Sequence, residues 1–514
     1  MTSETIPALL AARGVDAGAA EALVGDGRRI DYAGLEAASA ALAAELVARG
    51  VNKGHRTALL MANGIDWAIA AYAIMRIGAV LVPLSTLLRP REMQQQLEVA
   101  GVRHVIAVGA FRGRDYRTDI ASIDRAGLPS LGDVWWWDEL APAASKVADL
   151  SMARALEARV VPADDLVVLF TSGSRGTPKG VIHTHGNAIR AVRSGLEVRC
   201  IRRGTRLYIP MPFFWLGGFG GGLLSTLIAG ATLLTEAVAE PAQTLRLLID
   251  EKATLFRGWP DQAVQLSGHP DFPAQGLTAL QPGSLDAVLP PAMRAPPGAR
   301  SALLGMTESF GPYCGYPLDH AMPKDKWGSC GRPFEGMSLR IVDVETGSTL
   351  APGEPGVIQI SGSHVMRGLC GREREEVFTR DLWYDTGDMG RLDADGFLFF
   401  VGRRDDMFKV KGASVYPSEV EAALMDIPGV RRAFAGAITL DGRPAVGAAV
   451  LLEAGAALSV ADLATAARTR LSAFKLPARW TILASLEDLP TLATGKIDKP
   501  GLQALLQQGQ AAAG

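Results

Sequence analysis

Apolar positions recur along this chain in two textures, and the change between them comes once. In residues 34–49 (GLEAASAALAAELVAR) apolar side chains return at helical spacing until Gly50, which predicts a helix beginning shortly after Asp31. Thr57–Met61 is a short apolar run that predicts a buried strand. Asp66–Ile77 reads as a helix and Gly78–Pro83 as another apolar strand. Val105–Val108 and Leu166–Phe170 continue the series. Short apolar strands separated by helices predict a layered α/β domain with much parallel sheet.

After about residue 335 the texture changes. Ser338–Val344, Gly356–Ser361 and Gly396–Val401 read as short strands, with turn signals at Glu345–Gly347, Pro352–Gly353 and Asp393–Gly396 between them. They predict a smaller β-rich subdomain. From Arg403 onward charge rises through Arg404, Asp405, Asp406, Lys409 and Lys411. A compact α+β pattern follows: helix Ser418–Met425, strands near Val430–Ile438 and Ala445–Leu452, and helix Val460–Leu471. We place a domain boundary at about residue 404, giving an N-terminal domain of 1–404 and a smaller C-terminal one of 405–514.

Length agrees with that division, because 514 residues exceed what one ordinary core serves. The formal net charge of -2 shows no basic excess that would favour nucleic acid or an anionic membrane. Cys200, Cys314, Cys330 and Cys370 form no C-x-x-C pair and no zinc spacing with histidine, so they read as reduced thiols of a cytoplasmic protein. Met211–Leu234 carries no charge and is long enough to span a bilayer. Pro212 and the glycines at 217–218 and 220–222 instead predict a buried loop running into a buried helix, with no membrane span.

The chemistry begins where Leu166–Phe170 runs into Thr171-Ser-Gly-Ser-Arg-Gly-Thr-Pro-Lys-Gly180. Glycines let backbone N–H groups converge on an anion. Thr171, Ser172, Ser174 and Thr177 add hydroxyl donors, and Lys179 can neutralise phosphate charge. It is not a Walker A loop, since Pro178 precedes Lys179 and no Gly-Lys-Ser/Thr follows. Taken alone, such a loop reads more readily as a polar turn after a strand.

Its company changes that reading. TSGSRGTPKGV resembles the phosphate loop of the ANL adenylating enzymes: acyl-CoA synthetases, nonribosomal-peptide adenylation domains and firefly-type luciferases. The resemblance runs in order from Arg29–Leu35 and Gly78–Pro83 to Lys496. It implies that Thr171, Ser172, Gly173, Ser174, Gly176 and Lys179 cradle the phosphates of ATP. Leu304-Gly305 leads into the second nucleotide motif, in which Thr307 would contact phosphate and Glu308 would hold Mg²⁺. A hard cation held by one carboxylate plus phosphates is ordinary magnesium chemistry. Asp388, closing Tyr384-Asp-Thr-Gly-Asp388, would accept hydrogen bonds from the ribose diol, and Arg403 would reach ribose or phosphate. Asp405 stands where the family has its domain hinge. Lys411 and Gly412 belong to the loop implied to serve the CoA step, and Lys496 would bridge the acid carboxylate and the α-phosphate.

Phe214, Trp215, Gly217 and Gly218 align with a segment that lines the acid pocket in the family. Large aromatics beside paired glycines, with no charge among them, predict an apolar cavity and a hydrophobic acid, whether fatty, aryl or polycyclic. Three departures stand out: Arg175 for the usual threonine of the loop, Trp215 where many relatives have histidine, and Leu304 where most have an adenine-stacking tyrosine. The expected enzyme is an AMP-forming acid–thiol ligase using ATP, Mg²⁺ and CoA. Loading of a separate carrier protein is the alternative, and a non-catalytic nucleotide-binding protein is a third reading. A homodimer is left open.

Overall fold

The computed structural model describes residues 4–171, 178–410, 413–440, 442–491 and 497–511. The predicted first helix forms over Tyr32–Ala48, and the Asp31 side chain caps it by accepting the Gly34 N–H at 2.7 Å. Tyr32 at its head is buried and donates to the carbonyls of Thr226 and Ala231. The apolar runs at 56–60, 80–83 and 104–107 become neighbouring parallel strands, as continuous apolar strands covered on both faces should.

Two compact units emerge from the chain: residues 1–338 with 360–384, and residues 339–359 with 385–514. In the first, a seven-stranded sheet runs Gly368–Leu369, Lys179–Thr184, Asp165–Thr171, Val80–Pro83, Arg56–Leu60, His104–Ala107, Val134–Trp136. A five-stranded sheet runs Leu255–Phe256, Arg206–Tyr208, Thr232–Leu234, Glu21–Gly25, Arg28–Asp31. One hydrophobic core joins them: Leu59 and Leu81 of the larger sheet, Leu23, Leu207 and Leu233 of the smaller, and Trp67 and Tyr72 of the helix Ile65–Arg76.

The uncharged stretch 211–234 is a buried loop followed by helical turns through Leu216–Gly218, Phe219–Leu224 and Ser225–Ala229. Gly230 ends them in the left-handed conformation (φ +69°), a position glycine occupies without steric cost. No described helix is long and apolar enough to cross a membrane.

The second unit holds most of a four-stranded sheet, ordered Met337–Val342, Gly356–Gly362, Tyr384–Leu392, Leu398–Arg403. Its α+β portion pairs Val430–Leu440 with Arg443–Leu452, which in turn pairs with Pro477–Leu483, flanked by helices Pro417–Met425, Val460–Arg468 and Lys499–Gln507. Val420, Leu424, Val450, Leu463 and Trp480 share its core.

Candidate active site

The strands Asp165–Thr171 and Lys179–Thr184 pair antiparallel, so the glycine-rich segment is the connection of a hairpin. Thr171 and Lys179 are directly opposed at its neck, and Lys179 is exposed. Gly180 must be small, since a Cβ there would lie 2.9 Å from Cys370 Sγ and 3.0 Å from Val168. The predicted phosphate-loop residues Ser172, Gly173, Ser174 and Gly176 lie outside the described residues, as do Arg175, Lys411, Gly412 and Lys496.

Leu304–Met306 pairs with Gly311–Gly315 as a tight hairpin, with Thr307–Ser309 turning between them. The approach is close enough that a Cβ on Gly305 would sit 2.4 Å from the Gly311 carbonyl oxygen. Phe310 holds a left-handed backbone (φ +52°), a strained conformation for a bulky residue that its burial against His183 and Phe219 sustains. The turn thus presents Thr307 and Glu308 from a rigid frame.

Glu308 is buried (7% exposed), accepts a hydrogen bond from the Tyr384 hydroxyl at 3.2 Å, and forms no ion pair among the described residues. Its backbone carbonyl accepts the Met366 N–H at 2.8 Å. A buried carboxylate without a cation is costly. That environment fits a divalent cation bound together with phosphate oxygens. Among the described residues no set of three or more His, Cys, Asp or Glu side chains could itself hold a metal.

Behind this turn lies a polar support absent from the sequence reading. His183 is fully buried, and its Nε2 lies 2.7 Å from the Thr307 carbonyl oxygen, an acceptor, so Nε2 carries the proton. Its Nδ1 therefore accepts from Asn187 Nδ2, 2.7 Å away, which also donates to the His364 carbonyl. Burial drops the His183 pKa to about 4, so the ring is neutral at physiological pH. The only sequence signal was the pair His183 and Asn187 straddling the Thr184 helix cap.

In the second unit Asp388 and Arg403 face each other across adjacent strands, with Arg403 Nη1 donating to Asp388 Oδ1 at 2.6 Å and to the Thr386 carbonyl at 3.0 Å. Burial opposes the Arg403 charge, but the Asp388 carboxylate outweighs it and raises the pKa. Asp388 is itself buried, which fixes its carboxylate. Asp405 lies in the short turn Arg404–Asp406 immediately after this strand.

A cavity of about 310 Å³ opens beside the Thr307 turn. Gly305, Met306 and Thr307 line it together with Leu216, Gly217, Gly220 and Gly221. Of the predicted pocket residues, Gly217 is at the wall; Phe214, Trp215 and Gly218 are not among the lining residues. Trp215 instead packs edge-to-face on Phe214 and Trp259, at 5.3 and 6.0 Å between centroids. The lining contains no carboxylate, so it offers nothing to pair with a substrate ammonium. It does contain a cation the sequence reading missed, Arg199.

Residues 11–370 match the family model of AMP-binding enzymes, "AMP-binding enzyme". The chain is 32% identical over 505 residues to the 7a-methyl-1,5-dioxo-octahydro-1H-inden-4-yl propanoyl:CoA ligase of Mycobacterium tuberculosis, covering 94% of this chain and 95% of that protein. It is 30% identical over 489 residues to the feruloyl-CoA synthase of an Amycolatopsis species, covering 92% and 93%. ATP-bound MatB from Rhodopseudomonas palustris shares the fold, with a TM-score of 0.82 over 98% of this chain and 99% of that one at 23% identity.

Proposed function

This chain belongs to the family of AMP-binding enzymes, and we propose that it joins a hydrophobic carboxylic acid to CoA through an acyl-AMP intermediate. The observation that carries this reading is the cavity. Its wall is shared between the Gly305–Thr307 turn and an apolar, glycine-rich segment free of carboxylates, so an apolar acid seated there meets the nucleotide motif. The relatives' names, a bicyclic dione propanoyl:CoA ligase and a feruloyl-CoA synthase, support an aryl or polycyclic acid, with fatty acids as the further class.

In this reading a carboxylate oxygen attacks the α-phosphorus of ATP, the bond to the bridging oxygen breaks, and pyrophosphate leaves. The CoA sulfur then attacks the acyl carbon, the bond to AMP breaks, and the thiol proton passes to solvent. Thr171, Ser172, Gly173, Ser174, Gly176 and Lys179 hold the phosphates. Thr307 contacts phosphate, and Glu308 would hold Mg²⁺, whose charge would help neutralise the phosphates. Asp388 and Arg403 hold the ribose. Lys496 stabilises charge in the first step. Asp405 is the proposed hinge of a C-terminal domain at 405–514, and Lys411 and Gly412 serve the CoA step. Exclusion of water during these steps protects the mixed anhydride. Free thiols at all four cysteines are in keeping with a cytoplasmic setting.

The test is AMP release with ATP, Mg²⁺ and CoA across a panel of medium- and long-chain, aryl and polycyclic acids. Turnover yielding acyl-CoA is expected for apolar acids. If no acid supports ATP–pyrophosphate exchange, the reading fails; if AMP appears only with a phosphopantetheinylated carrier, the acceptor is a carrier protein. Lys496→Ala should slow adenylation about 10²–10³-fold while sparing thioester formation from supplied acyl-AMP; equal loss in both steps removes its assigned role.

A further inference from the structure

Arg199 lies just beyond the helix His185–Ser194 and is 6% exposed. Its Nε donates to the Gly195 carbonyl at 3.0 Å, its Nη2 to the Val192 carbonyl at 2.9 Å, and its Nη1 to Ser225 Oγ at 3.2 Å. A guanidinium carries five N–H donors. Each terminal nitrogen therefore keeps a proton that these bonds do not engage. No carboxylate lies within ion-pair distance of Arg199 among the described residues. The charge that acts on it is a second guanidinium, the half-buried Arg257, and burial of Arg199 together with that neighbour lowers its pKa to about 10, leaving it protonated at neutral pH.

This cation faces the proposed acid cavity, whose remaining lining includes Leu216, Leu303, Phe310 and Phe334. The two carbonyl bonds tie the C-terminal turn of the helix, where a cation is favoured. That role explains the location. It does not explain a full charge left without an anion beside an apolar cavity, an arrangement costly unless something polar arrives to meet it. The volume is at the small end of the range for ligand pockets, so one compact molecule can reach from the Thr307 turn to Arg199.

We infer that the cavity takes an acid whose apolar body ends in a second oxygen acceptor, a ketone or a second carboxylate, which Arg199 receives. The inference rests on the reading of this cavity as the acid site and narrows it. The reactive carboxyl lies toward Thr307 and the distal oxygen toward Arg199. A matched hydrocarbon acid leaves the guanidinium without its acceptor, and loss of a hydrogen bond to a charged group corresponds to roughly 10–100-fold in kcat/KM.

The experiment uses the full-length enzyme and one carbocyclic acid skeleton in three forms: unsubstituted, with a distal ketone, and with a distal carboxyl. AMP release is measured with ATP, Mg²⁺ and CoA. The expected result is a roughly 10–100-fold preference for one oxygenated form over the unsubstituted acid, and the two oxygenated arms identify which acceptor is used. In Arg199→Met and Arg199→Lys the preference should collapse in the first and weaken in the second, with the loss confined to the oxygenated acid. A wild-type enzyme that prefers the unsubstituted acid overturns the inference while leaving the ligase reading intact. So does an Arg199→Met enzyme that loses activity equally on all forms with its preference unchanged, since only the helix tie would then matter. Should the variants not fold, the wild-type series decides alone. Absence of turnover with every acid overturns the ligase reading itself.

Discussion

Arg76 ends the helix Ile65–Arg76, fully buried, and meets two carboxylates, Glu36 at 2.8 Å and Glu157 at 2.7 Å, together with Ser39 Oγ and the Glu36 carbonyl. Arg199 is buried almost as deeply and, among the described residues, meets only carbonyls and a hydroxyl. Glu308, beside the same cavity, is a buried carboxylate held by one tyrosine hydroxyl. Around Arg76 the fold neutralises its own charge; around the cavity, among the described residues, it leaves charge of both signs unneutralised. Such groups lower stability unless a ligand meets them, which is how a binding site differs electrostatically from a structural ion pair.

The largest expected effect is at the structural end. Arg76→Ala should lower stability by about 3 kcal/mol, because it breaks a buried ion pair and leaves Glu36 and Glu157 only the more exposed Arg154 as a partner, and a denaturation midpoint measures it. A small loss would mean that the Glu36–Arg76–Glu157 cluster is not a stabilising ion-pair network. Next, Glu308→Gln should slow adenylation about 10²-fold while leaving the melting temperature unchanged or raised, since it removes an uncompensated buried charge. A variant that is both unstable and active would reverse the assignment.

A pH titration sharpens the comparison further. His183, His185 and His364 are held neutral by burial, with pKa values of about 4, 3 and 4 against an ordinary value of 6.5. Above pH 6.5 both folded and unfolded chains are neutral at these positions and the full contribution is present. Below it the unfolded chain takes up protons that the fold refuses, so stability falls as pH drops from 6.5 toward 4. Each group contributes up to about 1.4 kcal/mol per pH unit across its window. His183→Gln should flatten that slope in a melting series; an unaltered slope would mean His183 titrates normally in the fold. The smallest effect is expected for the stability of Arg199→Met, about 1 kcal/mol in either direction, because lost helix-end bonds offset relief of an unpaired charge. A loss as large as that of Arg76→Ala would place Arg199 with the structural arginines.

Much of the architecture could be read before any coordinates. The helix predicted over 34–49, the apolar strands predicted at 57–61, 78–83 and 105–108, and the strands predicted near 430–438 and 445–452 all appear within a few residues of those positions. Periodicity is a local property, and a few residues are enough to display it. The glycine-rich segment and the run of motifs after it pointed to adenylation chemistry through their ordered resemblance to the ANL enzymes, since the segment alone reads as a polar turn. That the segment joins an antiparallel hairpin was less legible, because Leu166–Phe170 carries the same apolar signature whichever neighbour it pairs with.

What the tertiary structure alone decided are pairings between distant residues. His183 supports Thr307 across 124 positions, and Arg76 finds Glu157 across 81. Arg199 sits in an unremarkable run, EVRCIRR, with other arginines close by. Nothing in that run separates the one buried against the cavity from those left in water. Burial and charge compensation are properties of surroundings assembled from many segments. The chain by itself therefore specified the elements, and folding determined which charges, among the described residues, are neutralised internally and which are not.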